Sequence, residues 1–229
     1  YKLTINSDSN NLISKKYFYQ KINKNYNSIA YTFIITHEKI LNNIAKQIFT
    51  KVGPLAFLPL SNTQTSIVFS YKNIKKVSNN EIYKIVNKYN QEYKINNFGN
   101  IEKFDLMFSI LRDFKHVKIL PFGDLLHKIH PLAGQGFNMT LRDIKILSKI
   151  IDNRNDLGLE IDNSIIQEFK IETKHLNYIY GSSIDLIYQF FNIDNKINNI
   201  MSDSFFKFLK NKKIINNLAT RFADKGLIF

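Results

Sequence analysis

Residues 117–143 read VKILPFGDLLHKIHPLAGQGFNMTLRD, and this is the stretch whose residue types and spacing could do chemistry. A carboxylate, Asp124, follows Gly123 at the end of a run of strand-forming residues, and two more glycines, Gly134 and Gly136, precede a helical pattern. A carboxylate at the carboxyl edge of a strand can accept hydrogen bonds from the hydroxyls of a ligand. The helix that follows points free backbone N–H groups into the same crevice, and its dipole favours negative charge there. Glycines, having no Cβ, let the backbone approach a flat ligand closely. The same loop has a purely conformational reading, a tight strand-to-helix turn whose glycines serve only the backbone.

The histidines add less. His127 and His130 are three apart, a spacing that on a helix would suit a metal pair, but Pro131 stops a helix there and no third ligand stands at a sensible spacing. They are read as packing or hydrogen-bonding residues of the loop, with no metal site. His37-Glu38 sits at the end of a strand and is read as a surface polar pair in preference to an acid-base couple. His116 and His175 are read as surface residues. No spacing singles out a catalytic side chain.

These residues need elements to position them. Tyr1 to Ile5 alternates as a strand, then turns through Asn6-Ser7-Asp8-Ser9-Asn10-Asn11, side chains that bond their own backbone and favour a loop. Ser28 to His37 is β-branched and aromatic, and short strands are expected at Ala45–Thr50, Leu55–Leu60 and Thr65–Tyr71, with Gly53-Pro54 and Ser61-Asn62 as turns. Connections this short imply antiparallel neighbours, so Ser28 to Tyr71 reads as a β-meander. A helix is expected from Asn79 to about Asn90, and strands at Phe104–Leu111 and Val117–Phe122. A second helix is expected from Asn138 to about Asp152, and from Ile165 onward the pattern is helical, with breaks near 192–195 and at Asn211.

The chain has 229 residues and is 44% hydrophobic, enough for a real core. It opens on Tyr1, not methionine, so an upstream segment is expected. No apolar run reaches the roughly 18 residues of a membrane-spanning helix. The absence of cysteine rules out disulfides, thiolate metal sites and cysteine nucleophiles. The formal charge of +13 invites nucleic acid or anionic lipid. The lysines are scattered, however, and Lys15-Lys16, Lys75-Lys76 and Lys212-Lys213 are isolated pairs without an arginine cluster, so a solvated surface is favoured over a nucleic-acid footprint. The many Phe and Tyr are read as core and sheet, with some available to line an apolar tunnel.

The string GDLLHKIHPLAGQGFNMTLRD resembles the Gly-Asp-Ala-Ala-His, His-Pro, Ala-Gly-Gln-Gly, Asn, Leu-Arg-Asp block of the class A flavoprotein hydroxylases, in particular the ubiquinone-biosynthesis hydroxylases. Residues 28–70, with His37-Glu38, Phe49-Thr50, Gly53-Pro54-Leu55-Ala56, Leu58-Pro59-Leu60-Ser61 and Ser66-Ile67-Val68, are similar to the family's substrate-domain sheet. Residues 1–16 are similar to its Gly-Ala-Asp-Gly-x-x-Ser-x-x-Arg motif, with Asp8 at the aspartate. The resemblance covers most of the chain and is weakest over the final helices.

What the resemblance implies is FAD. Asp124 would bond the flavin ribityl chain and Gly123 would leave it room. Pro131, Leu132, Ala133, Gly134, Gln135 and Gly136 would line the isoalloxazine, and backbone N–H groups near Gly136, Phe137 and Asn138 would face its pyrimidine edge, where reduced flavin gathers negative charge. The implied activity is hydroxylation of the aromatic ring of a polyprenylated phenol in ubiquinone biosynthesis, with O2 and with NAD(P)H or another reductant. A quinone-biosynthesis complex, a cytoplasmic location and peripheral contact with the inner membrane follow from the same resemblance. No nucleic-acid partner is expected.

The implied fold is α+β, part of a flavin-hydroxylase architecture. Residues 1–26 belong to the FAD-binding domain, 27–112 form an antiparallel, β-rich substrate domain, 113–160 return to the FAD-binding α/β domain, and 161–229 form a helical C-terminus. Four departures stand out. The GxGxxG pyrophosphate fingerprint is absent from these residues; Ser9 stands where the motif has glycine, Lys15 where it has arginine, and Leu125-Leu126 where the family has two alanines. Two other readings stay open: a non-catalytic relative acting as a partner in a quinone-synthesis complex, and a basic module binding nucleic acid or anionic lipid.

Overall fold

The computed structural model describes residues 3–72, 77–114, 118–131 and 135–194, with backbone alone for 191–194. The fold is mixed α+β and divides into two compact units, one of Tyr1–Lys24 with Met107–Phe229 and one of Asn25–Leu106.

In the Asn25–Leu106 unit the sheet is antiparallel. Its strands are β2 (Lys21–His37, which starts in the other unit), β3 (Lys46–Thr50), β4 (Gly53–Ser61) and β5 (Gln64–Tyr71). The meander expected over 28–71 holds only for β3-β4-β5. The strand order is β3-β4-β5-β2, so β2 lies beside β5 and not beside its sequence neighbour β3. The reason is visible in the register. Tyr31 pairs with Phe69 and Phe69 with Leu55, while Phe33 pairs with Ile67 and Ile67 with Phe57. All six are buried, so pairing β2 with β5 aligns whole rows of large apolar side chains on one face. Residues 38–45 are too long for a tight hairpin and carry the chain across to β3.

The other surprise here is β6 (Ile95–Phe98), which pairs with the end of β2 around Ile35 to His37. Its sequence, INNF, has little strand character of its own. Helix α2 (Asn79–Tyr89) covers the buried rows with Ile82 and Val86. It starts on a capping box. The Ser78 hydroxyl accepts from Glu81 N at 3.3 Å, and the Glu81 carboxylate accepts from Ser78 N at 3.0 Å. Ser78→Ala is expected to lower the unfolding free energy by about 1 kcal/mol in a denaturant titration.

In the second unit, β1 (Thr4–Asn6) pairs in parallel with β8 (Ile119–Pro121), Thr4 opposite Ile119. Between them come α1 (Leu12–Tyr17) and β7 (Glu102–Leu111), which reaches this unit at Met107. After β8 a single 3-10 turn, Gly123–Leu125, leads into a two-residue strand, β9 (His127–Lys128), antiparallel to β7. Helix α3 (Gln135–Asp156) begins three residues before the expected Asn138 and outruns Asp152. The positive φ of Gly158, 67°, ends the helical path just beyond it. Helix α4 (Ser164–Asp194) is still helical at 192–194, where the break was expected to begin; Asn195, Asn211 and the final helices lie outside the described residues.

The core of this unit joins Phe18, Leu120, Phe122, Leu147, Ile166 and Phe169 among others, and Leu125 and Leu126 belong to it. Each is almost wholly buried, at 1% and 2% exposure. The two leucines that replace small residues in the family block therefore fill the hydrophobic core. They do not crowd the ligand side of the turn.

Candidate functional site

Asn6 sets up the edge on which the site stands. Its amide donates to Ser14 Oγ at 2.9 Å, and its Oδ1 accepts from the Asn11 amide at 2.9 Å, while Asn11 caps α1 through Ser14 N at 2.7 Å. This ties the polar loop after β1 into a fixed shape. Because β1 and β8 run parallel, their carboxyl ends emerge together, and Phe122 N bonds Asn6 O at 2.9 Å. The loop carrying Ser7 and Asp8 thus lies beside Gly123-Asp124. Asp8 and Lys15 are both exposed, and Asp8 accepts from Asn10 N at 2.8 Å.

Gly123 has φ 55°, and a Cβ there would meet only Ser7 Cβ at 3.7 Å. Its glycine character is conformational, since the left-handed backbone turns the chain sharply at the end of β8. Asp124 is exposed and its carboxylate bonds no described residue. Pro131 is exposed too. Leu132, Ala133 and Gly134 lie outside the described residues. Gln135, Gly136, Phe137 and Asn138 form the first turn of α3, where backbone N–H groups have no intrahelical acceptor. Gly136 has no positive φ, and a Cβ on it would make ordinary contact with Ile129 Cγ1 at 3.6 Å. Among the described residues, nothing in the packing requires a glycine at 136. Phe137 is 69% exposed.

Sequence reasoning missed the apparatus that holds this turn. His127 Nε2 lies 2.8 Å from Asp143 Oδ2, and Arg142 donates to Asp143 Oδ1 through Nη2 at 2.8 Å and Nε at 3.2 Å. Arg142 also donates to Asn177 of α4, and all four side chains are buried. The Arg142 guanidinium lies over the Tyr180 ring, 5.9 Å from its centre, and the Tyr180 hydroxyl donates to Gln135. Two elements of α3, its first residue and the Arg142-Asp143 pair, are therefore clamped to β9 and α4. The Leu-Arg-Asp end of the sequence block was the available signal, but its partners Asn177 and Tyr180 lie too far along the chain to be inferred. Helix α4 comes close here because Gly181 lacks a side chain: a Cβ would stand 2.7 Å from Ile110 Cδ1.

One histidine differs from expectation. His37 is not a surface residue: it is 2% exposed, its Nε2 lies 2.9 Å from Thr65 Oγ1, and its ring packs on Tyr93 at 4.6 Å. Glu38 alone is on the surface, where it meets Lys94 at 3.2 Å. His37 continues the inward alternation of Tyr31, Phe33 and Ile35 along β2, and this places its imidazole in the buried row. His175 is exposed, as expected, and His116 lies outside the described residues.

His130 stacks on Tyr188 of α4, ring centres 4.1 Å apart. Burial pushes its pKa down to about 4, against a smaller upward pull from Asp185. A histidine whose folded pKa lies below its unfolded value of about 6.5 leaves stability intact above pH 6.5 and removes it as the pH falls through that value toward 4, because only the unfolded chain takes the proton. Unfolding free energy is expected to drop by roughly 2–3 kcal/mol over that window on this account, and His130→Phe should remove that part of the slope.

Known proteins share parts of this sequence and its fold. The squalene epoxidase family model matches residues 109–222. The mitochondrial ubiquinone biosynthesis monooxygenase COQ6 of Danio rerio is 25% identical over 81% of this chain and 47% of its own length. The 3-demethoxyubiquinol 3-hydroxylase of Escherichia coli K12 is 28% identical over 62% of the chain and 38% of its own length. Among solved structures, PqsL of Pseudomonas aeruginosa, described as a probable FAD-dependent monooxygenase, superposes with a TM-score of 0.60 at 12% identity, covering 85% of this chain and 58% of its own. At that identity the likeness shows the fold alone. Over most of its length the chain is similar to ubiquinone-biosynthesis hydroxylases. It spans about half the length, or less, of the curated relatives it matches.

Proposed function

We propose that the polypeptide carrying these residues is an FAD-dependent monooxygenase that hydroxylates the aromatic ring of a polyprenylated phenol in ubiquinone biosynthesis. The observation that carries this reading is the exposed carboxylate of Asp124, which bonds no described residue, at the carboxyl edge of the β1–β8 pair, with the N-terminus of α3 following at Gln135.

Asp124 would accept hydrogen bonds from ribityl hydroxyls, and Gly123 would turn the chain so that they can reach it. Pro131, Gln135 and Gly136, with Leu132, Ala133 and Gly134, would line one side of the ring system. The N–H groups of the first α3 turn, near Gly136, Phe137 and Asn138, would stabilise negative charge at the pyrimidine edge. Gln135 is held for this by Tyr180, and the whole turn by the buried Arg142-Asp143 clamp. Bound flavin would supply oxygen activation, with NAD(P)H or another reductant as electron source. No helix among the described residues is long and apolar enough to cross a membrane. Peripheral contact with the membrane that holds so hydrophobic a substrate, and membership of a quinone-biosynthesis complex, are parts of the same proposal.

The test is the visible absorption of the full polypeptide purified from cells. Bound flavin supports the reading, and Asp124→Ala should then weaken FAD affinity by at least about tenfold, the loss expected when a charged hydrogen-bond acceptor is removed. A full polypeptide that binds no flavin even with FAD in excess overturns it and leaves a non-catalytic partner in quinone synthesis.

A further inference from the structure

Away from the flavin loop, the N-terminal half of α4 forms one wall of an open groove of about 720 Å³. That volume is within the roughly 300–1,000 Å³ range of small-molecule sites. Its apolar surface comes from Ile22, Ile110, Leu111, Ile171 and Tyr178. Ile171 and Tyr178, seven residues apart and so on one face of the helix, remain 70% and 52% exposed. Tyr180, which serves Gln135, points the other way and is buried. The groove and the flavin turn therefore use opposite faces of α4.

The rim is cationic. Arg112, Lys170 and Lys174 line the groove and also an adjoining polar recess of about 670 Å³, to which Lys21 and Asp113 contribute. Asp113 is the one carboxylate of the recess, and Lys170 holds it at 2.5 Å. Arg112 and Lys174 form no salt bridge among the described residues, although the charge of Lys174 adds to that of Lys170 in acting on Asp113. Burial, and then the charge of Lys128, push the Lys21 ammonium below its usual pKa. Like charges gathered round a concavity raise the local concentration of anions and cost stability while unoccupied.

We propose that this groove binds an amphiphilic phosphate, a phosphate ester on a hydrocarbon chain, with the phosphate between Arg112 and Lys174 and the chain along Ile171 and Tyr178. An anion alone would leave the apolar wall uncovered, and a neutral chain alone would leave the cations unmatched. The site is independent of the flavin reading, because none of its lining residues belongs to the flavin loop.

The experiment is calorimetric titration of the full polypeptide with monomeric dodecyl phosphate, with inorganic phosphate, dodecyl maltoside, and vesicles of equimolar phosphatidylcholine and phosphatidylglycerol as the other arms. Dodecyl phosphate should bind saturably and at least about tenfold more tightly than inorganic phosphate or dodecyl maltoside. The double variant R112E/K174E should lose at least about tenfold of that affinity, and added salt should weaken binding to the wild type. Both substituted side chains are exposed, so the fold should survive; if it does not, the wild-type arms still decide. Equal affinity for inorganic phosphate would mean a bare anion site, and equal affinity for dodecyl maltoside a bare apolar face. Vesicle binding without binding of the monomer would mean a membrane-facing surface. Each of these three results overturns the proposal.

Discussion

Asp143→Ala should lower the free energy of unfolding by about 3–5 kcal/mol, the cost of breaking a buried charge pair by removing one partner. Asp143 is fully buried, and Arg142 and His127 are 8% and 2% exposed, so neither can turn to water when the carboxylate goes. Asn177 still accepts from Arg142, but its amide cannot replace a charge. Asp143→Asn should cost less, since an amide oxygen can still accept from Arg142. A denaturant titration checks both. A shift below about 0.5 kcal/mol for the alanine variant would mean that water reaches the pair and that the clamp is not closed. Because the same cluster holds the first turn of α3, the alanine variant should also bind FAD more weakly than its stability alone accounts for at low temperature.

The second large effect belongs to the other unit. Gly53→Ala should cost at least about 3 kcal/mol and lower the melting temperature accordingly, from strain and overpacking together. Gly53 has φ 143°, which L residues rarely adopt, and an added Cβ would stand 1.8 Å from the carbonyl oxygen of Ser70. That obstacle is backbone in β5, with no rotamer to yield. Substitution must therefore separate β4 from β5 at one end. If Gly53→Ala melts within a degree or two of the wild type, the strand ends are not packed as described.

These two sites show what a sequence can disclose. Glycine followed by proline is a local signal that placed a turn at Gly53-Pro54, but the turn falls one step earlier, at Lys51-Val52. Gly53 and Pro54 open β4, paired with β3. The bodies of β4 and β5 followed from runs of branched and aromatic residues. The candidate loop could be singled out because its residues lie in one continuous string. The clamp could not, because Asn177 and Tyr180 look like ordinary residues on the polar side of a long helix until tertiary packing buries them. His37 was misplaced because a polar residue at a strand end reads as surface, although it continues the inward alternation of Tyr31, Phe33 and Ile35. The two-residue β9 is shorter than any periodicity that could predict it. The exchange of neighbours between β2 and β3 depends on which rows of apolar side chains match across strands, a property of pairs and not of either strand alone.

The parallel pairing of β1 with β8 bears on how the chain acquires its fold. Thr4 meets Ile119 only after the whole Asn25–Leu106 unit has been laid down between them. Closing so long a flexible loop is entropically costly, and contacts of such sequence separation form slowly. The inserted unit is continuous in sequence and rich in hairpins, so it can collapse first and shorten the effective loop. In a refolding experiment, protection of amides in β3 to β5 should precede protection of those in β1 and β8. The edge that presents Asp124 would then be among the last parts of the molecule to form, and ligand-binding competence should lag behind the recovery of bulk secondary structure.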